Sequence, residues 1–319
     1  MNIPRIELHC HLDGSLTQKC IEKLLGRVVS KQELQVDPEC RNLAQYLEKF
    51  DLPLLCLQEE KNLYQAGYDF IYSMAMDHMD YVEVRFAPLL SCTKGLTCSQ
   101  VIEAVLGGME QAYQETGVQY GVIVCAMRHH TEKENLKMIK EARKYLGKGI
   151  CAADLAGNEA AFPMTQFTHL FQQVKEMGMP FTIHAGECKD AENIRQSILC
   201  GASRIGHGIA MKGHPDILKL CKENKIGIEM CPISNLQTRA VDAPSEYPLK
   251  EFLDNGLLVT INTDNRTVSG TSLDKEIAFV KEMYGITDTE IIQMMRNAVE
   301  ISFATKKTKQ RLLGKYTFL

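Results

Sequence analysis

The segment Glu7-Leu-His-Cys-His-Leu-Asp-Gly-Ser15 holds two histidines one residue apart. Side chains alternate between the faces of a strand, so residues two apart point the same way. The run from Arg5 to His11 is apolar-rich and stops at Asp13-Gly14, a turn signal. His9 and His11 therefore share one face at a strand's end. Neutral imidazoles so paired suit a metal ion such as zinc. Two polar residues near a loop would look the same, so the choice rests on what other strand ends carry. Whether this strand opens a parallel set decides the fold.

Short β-branched or apolar runs recur at 3–9, 80–86, 119–126, 149–154, 180–184, 203–207, 225–230 and 257–263. Amphipathic segments lie between them. Thr97-Cys-Ser-Gln100 and Thr131-Glu-Lys-Glu134 read as capping boxes. From Thr165 to Gly178, Phe167, Leu170, Phe171 and Val174 share a helical face. Eight strands alternating with helices point to a closed parallel barrel or a doubly wound open sheet. The 319 residues exceed the roughly 250 typical of such a barrel. The surplus falls in 16–79, which must hold extra helices, and after Thr287, which reads as one more helix and a short tail. Leu43, Tyr46, Leu47, Phe50, Leu52, Leu54 and Leu55 cluster within the insert. Packing of a subsidiary helix on the barrel is the preferred reading; a hydrophobic lid over a pocket is the functional one. No repeat or linker divides the chain, so 1–319 is expected to be one domain.

Composition excludes several classes of function. The chain is 45% hydrophobic and 24% charged, with a net charge of -4. There is no basic excess for nucleic acid, and no apolar run approaches a membrane span. The chain opens directly into a candidate strand, so a signal peptide is not expected and a cytoplasmic location is the default. Twelve cysteines without a C-x-x-C pair read as reduced, mostly buried thiols. No P-loop, dinucleotide fingerprint or nucleophile elbow is found.

In a parallel barrel, chemistry gathers at the C-terminal ends of the strands. There the sequence places His9 and His11, then Asp154-Leu-Ala-Gly157, His184-Ala-Gly-Glu187, Gly206-His207-Gly208 and Asn262-Thr-Asp264-Asn265. Four of nine histidines fall at such ends. His9, His11 and His184 can supply three nitrogens to a zinc ion and Asp264 an oxygen, leaving a position for water. Bound zinc lowers the pKa of water to roughly 7, which makes hydroxide available at neutral pH. Glu187 stands where a general acid is needed, and His207 could hold the hydroxide. Gly157, without a side chain, lets the backbone approach a planar ligand.

The set "ELHCHLDGS", "DLAGNE", "HAGE", "RIGHG", "EMCPISN" and "NTD" resembles the adenosine deaminase family of the amidohydrolase superfamily, in order over nearly the whole chain. The resemblance implies a (β/α)8 barrel, one catalytic zinc, and hydrolysis of adenosine, with 2′-deoxyadenosine, to inosine and ammonia. His9, His11, His184 and Asp264 would be the ligands, with His11 also near the substrate. Glu187 would protonate purine N1 as hydroxide attacks C6. His207 and Asp264 would orient and deprotonate the water. The backbone of Gly157 would meet N3, and Asp13 the ribose. Many members carry two aspartates where this chain has Asp264-Asn265. The second faces N7, and an asparagine amide donates there without needing a proton. Strand four lacks the terminal lysine that two-metal relatives carboxylate, so a single metal is expected. Alternative substrates are adenine, N6-substituted AMP or an aminofutalosine-like nucleoside; another alternative is a silent binding protein on the same barrel. Glu83 and Arg85 suggest an ion pair inside the barrel. His78 and His169 read as surface or half-buried helical residues, and His129 and His130 as rim residues. Met294 and Met295 read as core, and 306–311 as a solvated helix end.

Overall fold

The computed structural model describes residues 3–37, 39–40 and 43–315. Positions 38, 41 and 42 of the expected insert, and 316–319 of the expected tail, lie outside the described residues.

Eight strands alternate with helices: β1 (Ile6–His11), β2 (Tyr81–Phe86), β3 (Gln119–Met127), β4 (Ile150–Ala156), β5 (Thr182–Ala185), β6 (Arg204–His207), β7 (Gly227–Met230) and β8 (Leu258–Ile261). They pair in parallel as two four-stranded sheets, β1 to β4 and β5 to β8. Both seams between the sheets are bonded. Ala153 N donates to Pro180 O at 2.9 Å across the β4–β5 seam. Across the β8–β1 seam, His11 N donates to Asp264 O at 2.7 Å and Asp264 N to His9 O at 2.8 Å. The ring is therefore closed, which excludes the open doubly wound sheet. Lower on that seam, side chains replace the ladder. Asn262 Oδ1 accepts from Leu8 N at 3.1 Å, and the Glu7 carboxyl accepts from Thr263 Oγ1 at 2.7 Å. Burial pushes that carboxyl up to about 7.

The apolar core lies between strands and helices. Val82 and Val84 of β2 face outward onto it, with Phe70 and Met109 of the surrounding helices. The interior of the ring is charged. Glu83, Arg85, Asp154, Arg204 and Glu229 are all fully buried. Glu83 and Arg85 do not pair with each other. Two apart on one strand they sit about 6.6 Å apart along it, and each finds its counter-ion across the barrel. Arg85 pairs with Asp154 and Glu229, both at 2.7 Å. Arg204 pairs with Glu83 at 2.5 Å and Glu229 at 2.6 Å.

The segment 16–79 forms the helices Gln18–Leu25, Lys31–Leu34, Leu43–Leu47, Asp51–Cys56 and Glu60–Met76. The last is the barrel helix before β2; the others are the addition. Both expected capping boxes are formed, at Thr97 and Thr131. The helix expected from Thr165 begins later, at Thr168, after a short 3-10 turn at Met164–Gln166. The expected helix and tail after Thr287 are instead two helices, Asp288–Ile301 and Lys306–Lys315. The basic run is thus a helix of its own, anchored by the buried Leu312. The link between these helices caps the barrel bottom: Phe303 N donates to Glu83 at 2.5 Å, and Arg204 stacks 4.0 Å over the Phe303 ring.

Candidate active site

At the C-terminal end of the barrel the strands turn their last side chains inward. His9 and His11 end β1, His184 lies near the end of β5, His207 ends β6, and Asp264 follows β8. His207 and Asp264 hold φ of 65° and 58°. Non-glycine residues rarely adopt that left-handed region, and such strain concentrates at functional sites. Here it redirects the chain so that both side chains stay in the cavity. Gly206, beside His207, clears room for the metal cluster: a Cβ there would come 2.9 Å from His9 Cε1.

One ligand atom from each of His9, His11, His184 and Asp264 lies within 4.8 Å of the others. His11 Nε2 and His184 Nε2 are 3.1 Å apart. His9 Nε2 and His11 Nε2 each lie 3.4 Å from Asp264 Oδ1. Two of the other ring nitrogens face carboxylates inside the barrel. His9 Nδ1 meets Glu229 at 2.7 Å, and His184 Nδ1 lies 2.9 Å from Asp154. Carboxylates behind imidazoles fix the tautomer and aim Nε2 at a metal. His9 Nε2 is fully buried without a hydrogen-bond partner among the described residues. An orphaned imidazole nitrogen facing two more imidazoles and a carboxylate is what a cation would satisfy. Burial also holds the His11 ring well below its ordinary pKa, in the neutral form that ligates. Burial raises the carboxyls of Asp264, Asp154 and Glu229, but neighbouring histidines and arginines outweigh it, so all three stay ionised. The residues present fit a divalent metal.

Glu187 stands beside this group, its Oε2 3.7 Å from His207 Nε2. A cavity of about 300 Å³ opens above, lined by His11, Asp13, Gly157, Glu187, His207 and Asn265 among others. Gly157 has φ of +104°, and a Cβ there would meet nothing closer than 3.5 Å. The positive φ is therefore what requires glycine at 157. Asp13 is 7% exposed, and burial pushes its carboxyl up to about 6. The roof is the insert: Leu43, Tyr46, Leu47, Phe50, Asp51 and Leu54 face the cavity. Leu52 instead packs on the core, and Leu55 is exposed. The preferred packing role thus holds for one part of the cluster only. His129 also reaches the rim.

The family profile described as adenosine deaminase matches residues 4–317. An adenosine deaminase of Enterococcus faecalis is 40% identical, covering 97% of this chain and 95% of its own. The chain belongs to the adenosine deaminase family. Its fold is shared more widely. The adenine deaminase of Arthrobacter aurescens superposes with a TM-score of 0.88 at 23% identity, covering 98% of both chains. A zinc-bound amidohydrolase from Burkholderia ambifaria superposes at 0.87, with 17% identity, 97% of this chain and 88% of its own.

Every site residue read from this family's motifs faces one cavity or its metal floor. What those motifs do not reveal is the layer that holds them. Ser234 Oγ donates to Asp264 at 2.5 Å, Asn235 Nδ2 meets His207 Nδ1 at 3.0 Å, and Thr238 Oγ1 donates to Glu187 at 3.1 Å. The signal is present, because "EMCPISN" contains Glu229, Ser234 and Asn235, but the string alone serves only as a family mark. Among the described residues, no helix is long and apolar enough to cross a membrane.

Proposed function

We propose that this protein binds one zinc ion and removes the 6-amino group of adenosine, and of 2′-deoxyadenosine, by hydrolysis to inosine and ammonia. The observation that carries this reading is the convergence of four metal-ligand atoms beside Glu187 on one cavity floor. His9, His11, His184 and Asp264 would hold the zinc. When bound, it supplies a Lewis acid that makes water a nucleophile at neutral pH.

The chain's own residues do the rest. An aromatic C6–N bond resists hydrolysis until N1 is protonated, which makes C6 electrophilic. Glu187 delivers that proton. His207, braced by Asn235, and Asp264, braced by Ser234, orient the attacking water and take up its proton. The Gly157 backbone meets N3, Asn265 donates its amide to N7, and Asp13 accepts from a ribose hydroxyl. The insert's apolar face covers the base as a lid, excluding bulk water. Small-molecule purine binding, without nucleic acid or membrane, suits a cavity of this size. Buried thiols such as Cys10, Cys125 and Cys231 suit a reducing compartment such as the cytoplasm.

A second reading keeps the chemistry and changes the substrate to adenine; an adenine deaminase shares the fold, but the relative at 40% identity favours adenosine. One assay separates the two. Zinc-loaded protein is given adenosine, adenine or AMP, and loss of the aminopurine's near-ultraviolet absorbance is followed. Rapid turnover of adenosine, abolished by chelation, is expected. Turnover of adenine alone would favour the second reading. Inactivity on all three despite bound zinc would refute both.

A further inference from the structure

Glu159 sits in the loop after β4, just beyond Gly157, and is 2% exposed. Its carboxylate reaches across to the loop after β5. Oε1 accepts from Gly186 N at 2.6 Å; Oε2 accepts from Glu187 N at 2.9 Å and Cys188 N at 3.1 Å. Arg128, just beyond β3, ties the first of these loops to β5 by donating to Phe162 O at 2.6 Å and His184 O at 2.7 Å. Burial pushes the Glu159 carboxyl up, and the amide donors and the Arg128 guanidinium oppose that rise. Burying a carboxylate is costly unless it is well bonded, so this tether is not a neutral way to join two loops.

The two loops carry the groups assigned to N3 and N1, which are separated in the purine by a single carbon. The spacing between the Gly157 backbone and the Glu187 carboxyl must therefore match a distance set by the ring. We propose that Glu159 is a positioning residue that sets this spacing, fixing the Glu187 backbone relative to Gly157 while Thr238 fixes the carboxyl. The proposal rests on the deaminase reading above. A misplacement of about 1 Å can cost on the order of a hundredfold in rate, so the strut should be visible in kcat.

The test is a double-mutant cycle on the full zinc-loaded chain. Glu159→Gln keeps the volume but turns one carboxylate oxygen into an amide that cannot accept from N–H. Its kcat per bound zinc should fall at least roughly tenfold, with KM changed by less than about threefold. In a Glu187→Gln background the same substitution should cost less than about twofold, because its effect runs through Glu187. Glu159→Asp, which keeps the charge but withdraws both oxygens, should show the same non-additivity if the glutamine variant does not fold. Equal losses in both backgrounds would overturn the proposal. So would a fall in zinc content or melting temperature with kcat per zinc unchanged, since that marks a purely structural role. Wild-type protein inactive on adenosine would instead defeat the deaminase reading, and this inference with it.

Discussion

Glu187 is a carboxyl on the cavity floor that neither belongs to the metal group nor braces a histidine from behind. Its neighbours are Thr238 Oγ1 at 3.1 Å and His207 Nε2 at 3.7 Å. A group so placed can exchange a proton with a ligand without disturbing the metal. Glu187→Gln preserves size and the contact to Thr238 but cannot cycle a proton. Activity should fall at least roughly a hundredfold while zinc content and product binding stay near wild type. Near-normal turnover would remove Glu187 as the acid. At this scale the sequence was legible wherever a residue stands at a strand's end. His9, His11, His184, His207 and Asp264 could be placed at one end of the barrel from position alone. What Glu229, Asp154, Ser234 and Thr238 brace could not. They work on other side chains across the barrel, and no local spacing reports a partner so distant along the chain.

The helix Pro232–Gln237 and the Thr238 that follows it lie directly behind the cavity floor. This short stretch sends Ser234, Asn235 and, just beyond, Thr238 to three different site residues. Thr238→Val removes the hydroxyl but keeps the branched shape. A lost hydrogen bond to a charged group is worth about 1.5–3 kcal/mol, so kcat should drop roughly tenfold or more, with recovery in Thr238→Ser. A valine variant at wild-type kcat would show that Glu187 needs no such brace.

The start of this helix is held by Glu276, which is fully buried and accepts from Ile233 N at 3.2 Å and Thr271 Oγ1 at 2.8 Å. Burial, with the charges of Glu7 and Asp264, raises its carboxyl well above 4.5. Well below pH 4.5 both folded and unfolded states hold the proton, and it contributes nothing to the pH dependence. Above that the unfolded state ionises freely while the folded state does not, so stability falls as pH rises toward the folded pKa. Glu276→Gln removes this penalty. Its urea midpoint should exceed wild type at pH 8 and approach it near pH 5; a constant difference across that range would refute the assignment. Strand positions were well placed from sequence, but every start except that of β3 was set early. Phe181, Ile226 and Leu257 each lie one residue before a strand, yet all three are buried. Apolar burial begins before the ladder does, so hydrophobic pattern alone carries a strand's start into the loop that leads to it.

On the scale of the whole molecule, the metal group joins the two sheets. His9 and His11 come from the first sheet, His184 and Asp264 from the second or its end. The β8–β1 seam between those sheets has short backbone bonds at its top, beside the ligands, and relies below on Glu7 and Asn262 side chains. Three imidazoles and a carboxylate share this buried floor, and His9 Nε2 has no hydrogen-bond partner there among the described residues. Bound zinc should therefore act as a clasp as well as a reagent. A ligand that binds only the folded state stabilises it by about 4 kcal/mol at a thousand times its Kd, and a zinc site in this position should exceed that at micromolar metal. Chelation should lower the unfolding midpoint and speed amide exchange first at His11 and Asp264, whose N–H groups close the seam. Exchange at β2–β3, away from the seam, should change little. Uniform acceleration around the ring would mean that the metal stabilises the fold without clasping it, and an unchanged midpoint would remove its structural role.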